Sequence, residues 1–314
     1  MRFPSVRDWS VFQDRNRLGL VLAVIVVVYL LCVIGLHFGQ KAHNKLDLDL
    51  EQLYSQQEGY VPGELIATAL VKIMDRELNG AFGWRPNDFF LWGPWLWADN
   101  NAHRQLGIIR AVRETTRVFR DNLTKVAAEV YDPNLLNAET MFRNDPTRWI
   151  LPSAESKFKK GVEFLKKYID GLKTDPPVSK PLNKRNIELI RLFEAWCDVL
   201  GDAHAMLYRE HEADGSPVSM RHTDDYFYEA QGTAHVMYYV LEAVSLEYGE
   251  GLRPTVRNLV EDVLEALHTA ATLKPIVVLD GCMSCLRANH RSNLDGLIAE
   301  AWTKMVLIRE ELEK

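Results

Sequence analysis

Three stretches of the chain concentrate residues whose types and spacing could carry chemistry. The first is Cys282-Met283-Ser284-Cys285, followed by His290. A CxxC pair serves as a redox dithiol, as half of a zinc site or as a haem attachment, but haem requires His directly after the second cysteine and Leu286 stands there. Zinc needs further ligands, and Cys197 is the only other cysteine outside the apolar N-terminal run. In an oxidising compartment a local disulfide between Cys282 and Cys285, or two idle thiols, is the simplest outcome, with redox and metal chemistry as the alternatives.

The second stretch runs from Asp224 to Val244. Phe227, Ala230, Ala234, Met237, Leu241 and Val244 follow a 3-4-3-4-3 rhythm, the seam of a helix buried against other helices. One row away Asp224, Tyr228, Gln231, His235, Tyr238 and Glu242 keep the same rhythm. Such a polar stripe is either a hydrogen-bond network that fixes helix register or the wall of a ligand cleft, and its members must find partners in both cases. The network is the simpler expectation, and the cleft would gather around Tyr228, Gln231 and His235.

The third is Gly83 to Trp97, where Trp84, Trp92, Trp95 and Trp97 join Phe89 and Phe90 in a segment broken by Gly and Pro. Tryptophan favours the lipid headgroup level because its ring is apolar while its N–H wants a polar partner. These six aromatics are therefore candidates for membrane or partner contact, and ordinary core packing is the competing account. Elsewhere the chemistry thins out. His204 and His211 are seven residues apart, about 10 Å along a helix, too far for one ion. There is no Walker loop, G-x-S-x-G elbow or dinucleotide fingerprint. No catalytic residue, cofactor or metal set is assigned from these patterns.

The elements that must position these residues are helices. Apolar residues recur at helical spacing over 64–79, 102–130, 153–171, 183–212, 224–248, 254–271 and 291–313, and no alternating run with hairpin turns intervenes. Asp132 before Pro133 predicts an N-cap with proline at the first helical position, and Ser153 predicts a second cap. Prolines 176, 177 and 181 forbid a helix across 173–181, which separates a helical half at 64–172 from another at 182–314. The halves are two domains or one bundle with a long crossover.

At the N-terminal end, residues 18–40 carry no formal charge with His neutral. The 21-residue stretch 18–38 spans about 31 Å as a helix, enough for a hydrocarbon core of about 30 Å. Lipid leaves a helix as the only single-segment solution, whatever the propensities of Val and Ile. A cleavable signal would have a shorter apolar region and a small-x-small exit, whereas this one leaves through His37-Phe38-Gly39-Gln40-Lys41. Residues 1–17 carry Arg2, Arg7, Arg15 and Arg17 against Asp8 and Asp14, which places 1–17 in the cytoplasm and, beyond a polar tether at 41–63, the body outside it. With a net charge of −6 overall and +2 on 1–17, the remainder is −8, which argues against nucleic acid as a partner. The 47% hydrophobic and 25% charged content is that of a globular chain. The fold class expected is all-α: one transmembrane helix and an extracytoplasmic helical bundle.

The anchor together with Gly83-Trp84-Arg85-Pro86-Asn87-Asp88, Asp99-Asn100, Gln105-Leu106-Gly107, Asp225-Tyr226-Phe227-Tyr228 and Ala230-Gln231-Gly232 resembles a family of bacterial inner-membrane proteins catalogued as a domain of unknown function. The likeness spans most of the chain. It implies the bacterial inner membrane and a periplasmic body, and brings no activity with it. The function expected is a non-enzymatic envelope module that meets the bilayer through 18–40 and binds a protein or lipid partner. The alternative is a periplasmic enzyme or small-ligand binder at the polar stripe.

Overall fold

The apolar run predicted to cross a membrane forms α1, Arg15–His43, in a computed structural model that describes residues 15–56, 61–88, 99–124, 131–280 and 288–314. Phe89, Phe90, Trp92, Trp95, Trp97, Cys282 and Cys285 lie outside the described residues. Residues 1–44 form one unit and Lys45–Lys314 another. Within the first, Arg17–Gln40 is long and apolar enough to span a bilayer, a test that a signal sequence also meets. Its Leu20, Ile25 and Leu31 side chains are exposed, unlike those of a core helix in a soluble protein.

The second unit is all-α. Its elements are α2 (Leu50–Gln56), α3 (Glu64–Asn79), α4 (Asn100–Val118), α5 (Pro133–Phe142), α6 (Ala154–Leu172), α7 (Asn186–Tyr208), α8 (Met220–Tyr248), α9 (Pro254–Thr272) and α10 (His290–Glu313). A π-helical turn, Phe119–Leu123, extends α4, and among the described residues the sole β feature is an isolated bridge between His211 and Pro217. The predicted caps form. Asp132 accepts from the N–H groups of Asn134 and Leu135 with Pro133 at the first helical position, and Ser153 accepts from Ser156. The proline-rich 173–181 is non-helical, yet it does not separate two bodies: 45–314 is one unit with one core.

α8 is the central helix, as its apolar seam predicts. It packs on α4, α7, α3 and α9, while α10 lies against α7 and α9 and α6 closes over α3 and α5. Phe227, Ala230, Ala234, Met237, Leu241 and Val244 are all buried. The α4–α8 crossing is made by glycine on both sides. A methyl group on Gly107 would stand 1.9 Å from the Glu229 carbonyl oxygen, and one on Gly232 would stand 1.9 Å from that of Arg104. The two backbones therefore touch, with Thr233 Oγ1 reaching the Gly107 carbonyl at 3.4 Å, which only residues lacking Cβ allow.

Trp84, grouped above with the contact aromatics, belongs to the core instead. It is 2% exposed, its ring stands edge-on to Phe158 at 5.0 Å, and its Nε1 donates to the Pro146 carbonyl at 2.9 Å. An indole enclosed by another ring, with its one donor satisfied, has nothing left for a membrane or partner.

Candidate functional site

Two polar clusters form around α4, on residues adjacent in sequence. In the first, Arg104 and Glu77 make an ion pair at 2.6 Å with both side chains 2% exposed. Gln105 Nε2 donates to Glu77 Oε2 and to the Gly83 carbonyl, each at 2.9 Å, while its Oε1 accepts from the Arg85 N–H at 2.8 Å. Arg85 in turn pairs with Asp88 at 2.8 Å. This network fastens Gly83–Asp88 to α3 and α4 and its charges cancel, so its role is architectural, with Arg104 Nη1 alone among its Arg104, Glu77 and Gln105 atoms buried without a hydrogen-bond partner among the described residues.

The second cluster brings together Asp99, which precedes α4, His103 one turn into it, and Asp225 near the start of α8. His103 Nε2 lies 3.1 Å from Asp225 Oδ1, with the two side chains 14% and 13% exposed. Asp99 is 5% exposed in its side chain and meets Arg221 Nη2 at 3.4 Å. Although Asp99 occupies the N-cap position of α4, its side chain makes no capping bond, in contrast to Asp132 on α5. Burial pushes the Asp99 carboxyl up to about 6, against its own backbone hydrogen bond and Arg221. Burial pushes Asp225 higher, to about 8, and the neighbouring Asp99 and Asp224 charges add to it. The next turn of α8 presents Tyr228, whose hydroxyl is held by the Asn100 side chain and pushed above its ordinary range by burial. Chemically, one imidazole and two crowded carboxylates can hold a proton between them or a cation.

The predicted stripe on α8 divides among different surroundings. Asp224 adds its charge to this second cluster and Tyr228 is buried beside it. Gln231 is buried and donates to the Leu273 carbonyl at 2.6 Å, tying α8 to the end of α9. His235, buried, lines a cleft of about 380 Å³ with Tyr239, Lys72, Ile73, Asp75, Arg76, Asp47 and Leu48. Tyr238 stacks edge-on between Tyr239 and His268. Burial, then Arg104 and Arg76, hold His235 well below its ordinary range, so it is neutral. In the cleft, Arg76 is engaged by Asp47 at 2.5 Å and Tyr239 accepts from the Leu48 N–H at 2.9 Å. Two of its polar groups are thus already engaged within the cleft, and the Asp99 cluster is the stronger candidate site.

Reasoning from the sequence missed Asp99, His103 and Asp225 as a set. The four-residue spacing of Asp99 and His103 was a visible signal, since it puts both on one helical face; Asp225 joins them only through the α4–α8 crossing. Cys197, the remaining cysteine of the body, is buried on α7 with its thiol pushed up to about 11 by burial, and offers no thiolate.

A family model described as "uncharacterized protein conserved in bacteria" (DUF2333) matches residues 12–207, more than half of the chain. The match takes in α1, Asp99 and His103, and stops before Asp225. Neither a curated protein nor a solved structure matches.

Proposed function

The chain belongs to this bacterial family, and we propose that it is a non-enzymatic periplasmic module, anchored by α1, that docks on the face of the inner membrane from which it projects. The observation that carries this reading is the tip between α5 and α6. Trp149, Ile150 and Leu151 stand 57%, 51% and 87% exposed, three large apolar side chains in succession. From Arg143 to Lys167 the chain holds seven basic residues against three acidic, within a molecule of net charge −6. Arg143, Arg148, Lys159, Lys160, Lys166 and Lys167 are exposed. An apolar wedge with basic neighbours suits an anionic bilayer, where each Lys or Arg near the surface contributes about 1 kcal/mol. Asn87, two residues ahead of Phe89 in sequence, reaches the same place: its Nδ2 donates to the Arg148 carbonyl at 3.3 Å. Tethering by α1 raises the effective concentration of lipid for such a surface, so modest contacts suffice.

The test is a photo-crosslinking residue at position 150 of the full chain, reconstituted in vesicles with and without phosphatidylglycerol. Lipid adducts that increase with phosphatidylglycerol support the reading; adducts in neither preparation overturn it. In native membranes, a defined protein adduct lost in a Trp92→Ala, Trp95→Ala variant of normal circular dichroism identifies an envelope protein as the partner instead. A reporter enzyme fused after Lys314 tests the orientation, being active only if the body is periplasmic. A second reading, a small ligand beside His235, is supported by the size of its cleft, which falls at the lower end for ligand sites. It predicts that His235→Ala removes ligand protection against unfolding.

A further inference from the structure

We propose that Asp99, His103 and Asp225 bind one divalent transition-metal ion of the zinc class at the N-terminal end of the α4–α8 crossing. The spacing comes first. Bonds of about 2.0–2.2 Å from a metal to nitrogen and oxygen place neighbouring ligand atoms roughly 3.0–3.5 Å apart. His103 Nε2 and Asp225 Oδ1 are already 3.1 Å apart, and one ligand atom from each of the three residues falls within 4.8 Å of the others. Closing the remaining gap of about 1 Å takes rotation of a carboxylate, not movement of a helix. Among the described residues this is the one set of three such groups with that spacing.

The donor set then narrows the ion. Imidazole suits zinc, copper, iron or nickel and is a poor partner for calcium or magnesium, which favour all-oxygen surroundings. Three protein ligands leave a fourth position for water or an exogenous group. The charge arrangement favours a cation as well. Two carboxylates, 5% and 13% exposed in their side chains, share the Arg221 guanidinium, which sits 3.4 Å from Asp99 and is itself 49% exposed. An exposed arginine can swing into solvent when an ion takes its place. Asp99 gives up the capping bond its position offers and turns toward the cluster. The ligands also stand on a rigid base: His103 lies one turn from Gly107 and Asp225 two turns from Gly232, whose mutual backbone contact fixes the distance between the helices.

The test uses the full chain in detergent, freed of metal by chelator and titrated calorimetrically with zinc chloride. One equivalent should bind, and His103→Gln and Asp225→Asn should each weaken binding by about a hundredfold or more, with helical circular dichroism unchanged. A Cys282→Ser, Cys285→Ser variant should bind as the parent does. No uptake, uptake that survives both ligand variants, or loss confined to the cysteine variant overturns the proposal. Should Asp225→Asn fail to fold, His103→Gln decides alone.

Discussion

His103 and Arg104 are neighbours in the chain, yet they feed clusters with opposite electrostatic accounts. Around Arg104 the buried charges are one cation and one anion at 2.6 Å, and Gln105 binds the carboxylate and the adjoining loop together. Around His103 one buried and one half-buried carboxyl group face an imidazole, and the Arg221 guanidinium reaches in from the surface. The first cluster balances its own charge and holds the fold. The second crowds two carboxyl groups whose affinity for a proton is raised, the usual mark of a site that serves something besides stability. One helix thus carries both, because successive residues point 100° apart around its axis.

The sharpest way to break the comparison is to remove the platform under both clusters. Gly232→Leu drives a side chain into the Arg104 carbonyl and should abolish the folded body, read as loss of the cooperative thermal transition; Gly232→Ala should keep a transition but lose about 3 kcal/mol or more. Next, Glu77→Ala strands Arg104 in the core and should cost about 3–5 kcal/mol in denaturant unfolding, since removing one partner leaves the other charge buried.

A smaller effect tests a crowded carboxyl elsewhere on α8. Glu242 Oε2 is buried with no hydrogen-bond partner among the described residues, and burial, followed by Glu51 and Asp49, pushes its carboxyl from 4.5 up to about 7. A raised carboxyl favours the protonated folded state, so its contribution is fully present below pH 4.5 and is lost as pH rises through about 7. Glu242→Gln should therefore raise Tm above pH 7 by about 2–4 °C, after allowance for solvent screening, and change nothing below pH 4.5. Smallest of all, Asp225→Asn in metal-free protein should be neutral or stabilising by under about 1 kcal/mol, because it relieves like charge and keeps an acceptor for His103. A loss as large as that of Glu77→Ala would show the two clusters to be alike.

Local features were legible in the sequence. Asp132-Pro133 and Ser153 cap their helices because a cap needs only the next three residues, and the seam from Phe227 to Val244 is the buried face because its period is intrinsic to the helix. Features that depend on distant pairing were not. Trp84 looks the same in sequence whether it faces lipid or Phe158, and its indole partner Pro146 lies 62 residues away. The helical run expected over 102–130 is described only to Leu123, where it ends in a π turn that periodicity does not anticipate. Residues 50–56 make a helix too short to show a period within what read as a tether. Half of the candidate site, Asp99 with His103, could be seen as one face of a helix; the other half needed the glycine crossing to bring Asp225 to it.

That crossing also sets an order of assembly in time. The Thr233 hydroxyl that meets the Gly107 carbonyl is made 126 residues later. At about 5–20 residues per second, α4 waits roughly 6–25 s for the strip of α8 that covers it. During that interval the newborn body displays an uncovered glycine groove and the buried faces of α3 and α4 beside it, so the stage most exposed to holding chaperones or proteases is the one before α8 arrives.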